Sequence, residues 1–291
     1  MYREASAGIE SSQQRLAEFQ RQVSTGKRIE KPSDDPSAAA SAIAEHAEIA
    51  NVEQYSRSAT SVGSRLTVVD TVLSDIIEKI TAASTSVMSA RGTNQTPVER
   101  EAAAKTLEGI RETLFENLNT SFQGTYVFGG AETSTPPFVK DASGVVQPYA
   151  GSTAEVRVDI DRNRSVRVSM DGSTLVQTGS ADDLFAVMDD AIAAARSGDN
   201  AVLGDVMGKL DTVMRRVTTA QSHVGADMNT VDDQKLRLGQ MKLAATKRLD
   251  KTEAANLAEA ITGMTQAQNA YEAALGAVSK VTSVSLMDYL R

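Results

Sequence analysis

Apolar residues at alternating steps of three and four run along both ends of this chain, and no other feature restricts its fold as strongly. At the start Tyr2, Ala5, Ile9, Ser12, Leu16, Phe19 and Val23 fall on one line. Near the end Ala254, Leu257, Ile261, Met264, Gln268, Tyr271, Leu275 and Val278 do the same. Such spacing sets side chains along one seam of an α-helix, as helices that wind around a partner require. A helix of about 24 residues with Ala5 and Ser12 on its seam is marginal alone in water, because most helix stability comes from packing. The two ends are therefore expected to pair with each other and to bury their remaining faces against further subunits.

Punctuation along the chain divides the rest. Gly26 stands where a left-handed helix cap belongs, with Lys27 and Arg28 at the negative helix end, so the first helix should stop at about Thr25. Asp34 and Asp35 precede Pro36, which predicts a new start. That helix should run through Ala39, Ile43, Ala47 and Ala50 to about Gly63. A stricter seam follows from Leu66 through Val69, Leu73, Ile76, Ile80, Ala83 and Val87 to Ala90. Thr96, Pro97 and Glu99 then form a capping signature for a helix that buries Leu107, Ile110, Leu114 and Leu118.

After Phe122 the period changes from three-and-four to two. Val156, Val158 and Ile160 alternate with Arg157 and Asp159, and beyond a turn at Asp161 to Arg164 the residues Val166, Val168 and Met170 alternate again, which predicts a half-exposed hairpin. Helical spacing returns at Leu184, Val187, Met188, Ala191 and Ile192, and again from Val206 through Leu210, Val213, Val217 and Ala220 to Val224. The expected fold is mainly α: an elongated helical bundle with coiled-coil terminal helices and a small β-rich insertion. Its parts nest, with 1–29 and 251–291 as a terminal helical domain, 30–122 and 181–250 as a helical rod, and 123–180 as a β-rich outer domain.

Chemistry finds little foothold. The chain has 38 acidic and 30 basic residues, which gives it no general attraction to nucleic acid or an anionic membrane. With no cysteine, it can have neither a thiol nucleophile nor a thiolate metal site, and its two histidines, His46 and His223, lie far from any candidate nucleophile in sequence. The pairs Asp34–Asp35 and Asp182–Asp183 fall at helix starts, where capping accounts for them, and Asp232–Asp233 should face solvent. Neither "TGKR" nor "VFGG" has the spacing of a phosphate-binding loop. The cluster Lys27, Arg28 and Lys31 lies too near two aspartates for a phosphate patch and reads as a solvated or interface loop. Neither a membrane span nor a cleavable leader is visible. No enzyme activity, cofactor or metal is expected.

The two quoted ends carry a resemblance. "STGKRIEKPSDDPSAA", Ser24 to Ala39, resembles the N-terminal motif of the flagellin-like axial proteins, and "EAANLAEAITGMTQAQNAYEAALGAVSKVTSVSLMDYL", Glu253 to Leu290, resembles their C-terminal motif. The resemblance implies a tube-forming subunit of the bacterial flagellum, with terminal helices innermost and the β insertion outward. Three details resemble the family's hook-to-filament junction branch more than filament flagellin: Lys31 to Pro36, Tyr126 to Gly129, and the close Ser285 to Leu290. The chain's modest size leans the same way.

On that resemblance the implied subunit interface comprises Ile9, Leu16, Phe19, Val23, Gly26, Lys27, Arg28, Asp34 and Asp35 at one end. At the other it comprises Leu257, Ile261, Met264, Tyr271, Leu275, Val278, Leu286 and Leu290. The implied partners are the preceding junction protein on the hook, flagellin, other copies of the chain, and an export chaperone before passage through the flagellar type III apparatus to the cell exterior. Members of the family begin with a further short segment, so the native chain is expected to extend before Met1. Filament flagellin is the near alternative. A chemotaxis-type coiled-coil signalling protein and a secreted hydrolase are the distant ones, the former opposed by the β insertion and the latter by the missing nucleophile and base.

Overall fold

The structure is a computed structural model, and it describes residues 2–92 and 95–289, with side chains over 6–92 and 95–277. It is mainly α. The helices are α1 (Tyr2–Thr25), α2 (Pro36–Ala90), α3 (Pro97–Leu118), α4 (Ser173–Val176), α5 (Leu184–Ser197), α6 (Asn200–Glu253) and α7 (Leu257–Tyr289). Two antiparallel pairs of short strands stand between α3 and α4: β1 (Ser121–Phe122) with β2 (Thr125–Tyr126), and β3 (Arg157–Asp161) with β4 (Arg164–Arg167).

Helix starts follow their capping residues. The Asp35 carboxylate accepts the N–H groups of Ser37 and Ala38 at 3.1 and 3.0 Å ahead of α2. Thr96 and Glu99 exchange hydrogen bonds as a capping box for α3, and Asp183 accepts from Phe185 and Ala186 for α5. These contacts satisfy N–H groups that a helix's first turn leaves without an internal partner. Asp34 behaves differently from the capping role its position suggests, because its carboxylate turns back to the preceding loop.

Two expectations need correction. No break occurs near Gly63: α2 is one helix of 55 residues. Gly63 lies inside it beside Lys235 of α6, whose Nζ would stand 2.8 Å from a Cβ at that position, an end of a flexible side chain that can swing aside. The first part of α2 buries Ala39 of the predicted line but continues through Ala42 and Val52 and leaves Ile43 63% exposed, so beyond Ala39 its buried line is offset from the predicted Ile43, Ala47 and Ala50. The short helix α4 was not visible in the sequence pattern.

The chain divides into two compact units, Gln54–Gly239 and the pair of ends, Met1–Glu53 with Gln240–Arg291. In the first, the seam of α2 from Leu66 to Ala90 is buried together with Leu107, Ile110, Leu114 and Leu118 of α3, Leu184 to Ala195 on α5, and Leu203 to Val231 on α6. α3 packs against α5, and Gln221 of α6 donates to Asp70 and Ser74 of α2 at 3.1 and 2.8 Å.

The strand region of the same unit has its own small core of Val127, Phe128, Phe138, Ile160, Val166, Leu175 and Val176. β3 and β4 pair as the alternation predicted, Val158 opposite Val166, with an irregularity between Asp159 and Asp161. Arg65 of α2 anchors this region by donating to Val168 O, Thr125 Oγ1 and Tyr126 O at 2.6, 2.7 and 3.1 Å. The Gly129–Gly130 turn packs so closely that a Cβ on Gly130, whose φ is +63°, would sit 1.6 Å from the Ser152 carbonyl oxygen. "VFGG" is thus a close-approach motif, as glycine's missing side chain allows.

Candidate assembly site

The residues singled out in the sequence converge on the unit made of the two chain ends. α1 stops at Thr25 because Gly26 takes φ +69° and returns its N–H to Gln22 O at 2.9 Å. That is a left-handed cap, open to glycine at no steric cost. α6 and α7 are separated by a second, shorter break at Ala254–Asn256.

The two breaks meet. Arg28 N–H donates to Glu253 O at 2.6 Å and Ala255 N–H donates to Gly26 O at 2.9 Å, making an antiparallel bridge between Lys27 and Ala254. Side chains reinforce it: Arg28 Nη2 donates to Thr252 O at 3.2 Å, and the Glu253 carboxylate takes Lys27 Nζ at 2.8 Å and His46 Nε2 at 2.9 Å. The second of these requires the proton on Nε2. Ile29 is the buried side chain of the loop, 5% exposed.

Acidic residues order the remainder. Asp34 Oδ2 accepts the N–H groups of Glu30 and Lys31, both at 3.1 Å, and faces Arg21 at 3.4 Å. Those two backbone donors, aided by Arg21 and Lys31, hold its carboxyl below the ordinary aspartate range. For Asp35 the Ala38 N–H and the Ser37 hydroxyl do the same. Burial opposes ionisation of Glu253, but the hydrogen bonds from Lys27 and His46 outweigh it and hold the group low. Glu45 and Arg248 add a two-pronged pair at 2.6 and 2.8 Å on the neighbouring turns of α2 and α6.

Beyond the joint, α1 packs on α7. Ile9, Leu16, Phe19 and Val23 are all half-buried on α1. On α7 the side facing α1 is made of small residues, with Ala260 and Ala267 buried and the Phe19 ring within 2.6 Å of where a Cβ on Gly263 would stand. Met264 and Tyr271 of the same helix are half-buried. Leu257, Ile261 and Leu275 point elsewhere and stay 49, 48 and 44% exposed. The three-and-four line therefore splits: part of it serves the pair, and its largest aliphatic members are left uncovered. Val278 and Leu286 lie on the helical backbone of α7 with side chains outside the described residues, and Leu290 lies outside them altogether.

Sequence reading missed Glu253, His46 and Ile29 as members of the joint. The signal for the second break was present: Asn256 followed three residues later by Glu259 is a helix-start pattern, and Glu259 N–H does donate to Asn256 Oδ1 at 3.4 Å. An open cleft of about 1030 Å³ lies between α1, the loop and the start of α7, lined in part by Phe19, Arg21, Ile29, Asn256 and Ala260. A second of about 710 Å³ has Ile29, Ala42 and Ile43 along it with Lys27 and His46. Among the described residues there is no group of three or more metal-ligating side chains, and no helix is long and apolar enough to cross a membrane.

The chain is thus mainly α, its first and last helices pair, and a short strand-bearing segment interrupts its helices. Residues 1–133 match the bacterial flagellin N-terminal helical region. The chain is 25% identical to flagellar hook-associated protein 3 of Escherichia coli, with 98% of this chain and 96% of that one covered. It is 28% identical to flagellar hook-associated protein 3 of Salmonella typhimurium, covering 77% and 74%. Among solved structures, a flagellar hook-associated protein from Vibrio parahaemolyticus superposes with a TM-score of 0.71 at 20% identity, over 76% of this chain and all of that one. The homologues of this protein are thus the hook-associated protein 3 proteins of the flagellum, which are structural components.

Proposed function

We propose that this chain is a structural adaptor of the bacterial flagellum that joins the hook to the flagellin filament, polymerising through its terminal helices. The observation that carries the reading is the exposed aliphatic row Leu257, Ile261 and Leu275 on a helix whose other side is already occupied by α1. Exposed large apolar side chains in a row mark a surface that is covered in the working assembly. The similarity to hook-associated protein 3 over nearly the whole chain supports the junction role over filament flagellin.

In this reading 1–29 with 251–291 form the inner core, 30–122 with 181–250 the surrounding rod, and 123–180 the outward face. The joint residues Gly26, Lys27, Arg28, Asp34 and Asp35 redirect the chain from inner core to rod. The preceding junction protein, flagellin and further copies of the chain are its neighbours, and a chaperone accompanies it to the flagellar export apparatus. It carries out no turnover. Deleting the gene from its host tests the proposal: flagellin released into the medium from cells with bare hooks is the expected result, and complete filaments in the deletion strain would refute it.

A further inference from the structure

The two breaks beside the terminal helices are joined by contacts between residues 224 positions apart in sequence, Arg28 and Thr252. Bringing such distant segments together costs loop-closure entropy before any helix-to-helix contact repays it. The α1–α7 pair repays little near its start, because its α7 side is built from Ala260, Gly263 and Ala267 and its α1 side chains are only half-buried. The joint, by contrast, holds a buried Ile29, a backbone bridge, and one carboxylate shared by two other segments. Glu253 ends α6, Lys27 follows α1, and His46 stands on α2.

We propose that Glu253 is the latch of a preformed joint, which closes both chain breaks as one unit and presents the ends of α1 and α7 side by side as the nucleus for pairing. The groups around the latch are arranged for this. Lys27 and His46 face the carboxylate, Arg28 faces Asp35 at 3.6 Å and Thr252 O, and Arg248 is engaged by Glu45. The Glu253 side chain is 13% exposed, so competition from water is small at the shared carboxylate. Starting a helix is the costly step and extending it is not. A joint that fixes the last turn of one helix beside the first turn of the other therefore removes the largest barrier to pairing the ends, whatever later covers them.

The test is amide hydrogen exchange by NMR on the full-length monomer, read at Arg28 and Ala255, the donors of the bridge. The wild-type protein is expected to protect both amides at least tenfold over their intrinsic rates. Glu253→Gln, which keeps the shape and removes the charge, is expected to lose most of that protection at both. Lys27→Glu should do the same, and the charge swap Lys27→Glu with Glu253→Lys should restore it. Intrinsic rates at both amides in the wild type, loss at one amide alone in Glu253→Gln, or a swap that restores nothing would each overturn the latch. Because the measurement is made on the monomer, it stands or falls separately from the role in the flagellum.

Discussion

Gly26 offers a case in which the cost of a substitution can be worked from torsion alone. Its φ is +69°, and a Cβ built on it meets no atom within 4 Å. No clash therefore contributes, and the penalty is the intrinsic one for an L-residue in the left-handed region, about 1–2 kcal/mol for alanine. A β-branched side chain is stiffer and should exceed that, whereas asparagine tolerates the region and should cost least. Urea unfolding followed by circular dichroism should rank the midpoints Gly26, then Gly26→Asn, Gly26→Ala and Gly26→Val, with the last at least about 2 kcal/mol below the native chain. The same order is expected for attachment of filaments when the variants replace the native protein in cells. Equal effects of alanine and valine, or an asparagine variant worse than valine, would show that the left-handed cap does not set the cost.

Gly130 gives the opposite case, since its Cβ would strike the Ser152 carbonyl oxygen at 1.6 Å, a backbone atom that cannot swing aside. Gly130→Ala should cost about 3 kcal/mol, raising exchange around Val127, Phe128 and Ile160 while the α3–α5 packing stays protected. The lowered carboxyls of Asp34, Asp35, Glu45 and Glu253 favour the folded state above their ordinary titration range. That contribution should be intact at pH 7 and fall away below about pH 4.5 as the groups are protonated, so urea midpoints at pH 3 should drop less in Glu253→Gln than in the native protein. Tyr149 donates to Phe128 O at 2.9 Å, and burial, with Asp171 nearby, pushes its hydroxyl up to about 12. It should be the last tyrosine to ionise in an ultraviolet titration, and Tyr149→Phe should remove that final phase. The raised value adds stability that is complete below about pH 10 and lost as pH climbs toward 12.

Helices were legible wherever a local cap and a long apolar repeat agreed. Thr96 with Glu99, Asp183, and Gly26 each announced an element boundary by chemistry that acts within four residues, and the structure places boundaries there. Gly63 misled because one glycine's low helix propensity, about 1 kcal/mol against alanine, is a weak prior that the buried seam on either side of it in a 55-residue helix overrides. The offset at Ile43 has a related origin: which line of a helix is buried depends on the neighbour's position, and an Ala-rich sequence offers two nearly equal lines. At the joint, Lys27 and Arg28 were visible as a basic run, but their partners Glu253 and Thr252 lie at the far end of the chain. No spacing rule links them. Only the Asn256–Glu259 start signal pointed to the second break.

The pairing of the first helix with the last has a consequence for shortened chains. α1 precedes every other helix described, yet the surface it rests on belongs to α7, which follows them all. A polypeptide that is terminated early, or clipped before Leu257, retains every residue of α1 and has nothing to lay it against. Seating α1 thus depends on chain that lies beyond every other helix, and loss of Ala260, Gly263 and Ala267 would leave its apolar side uncovered.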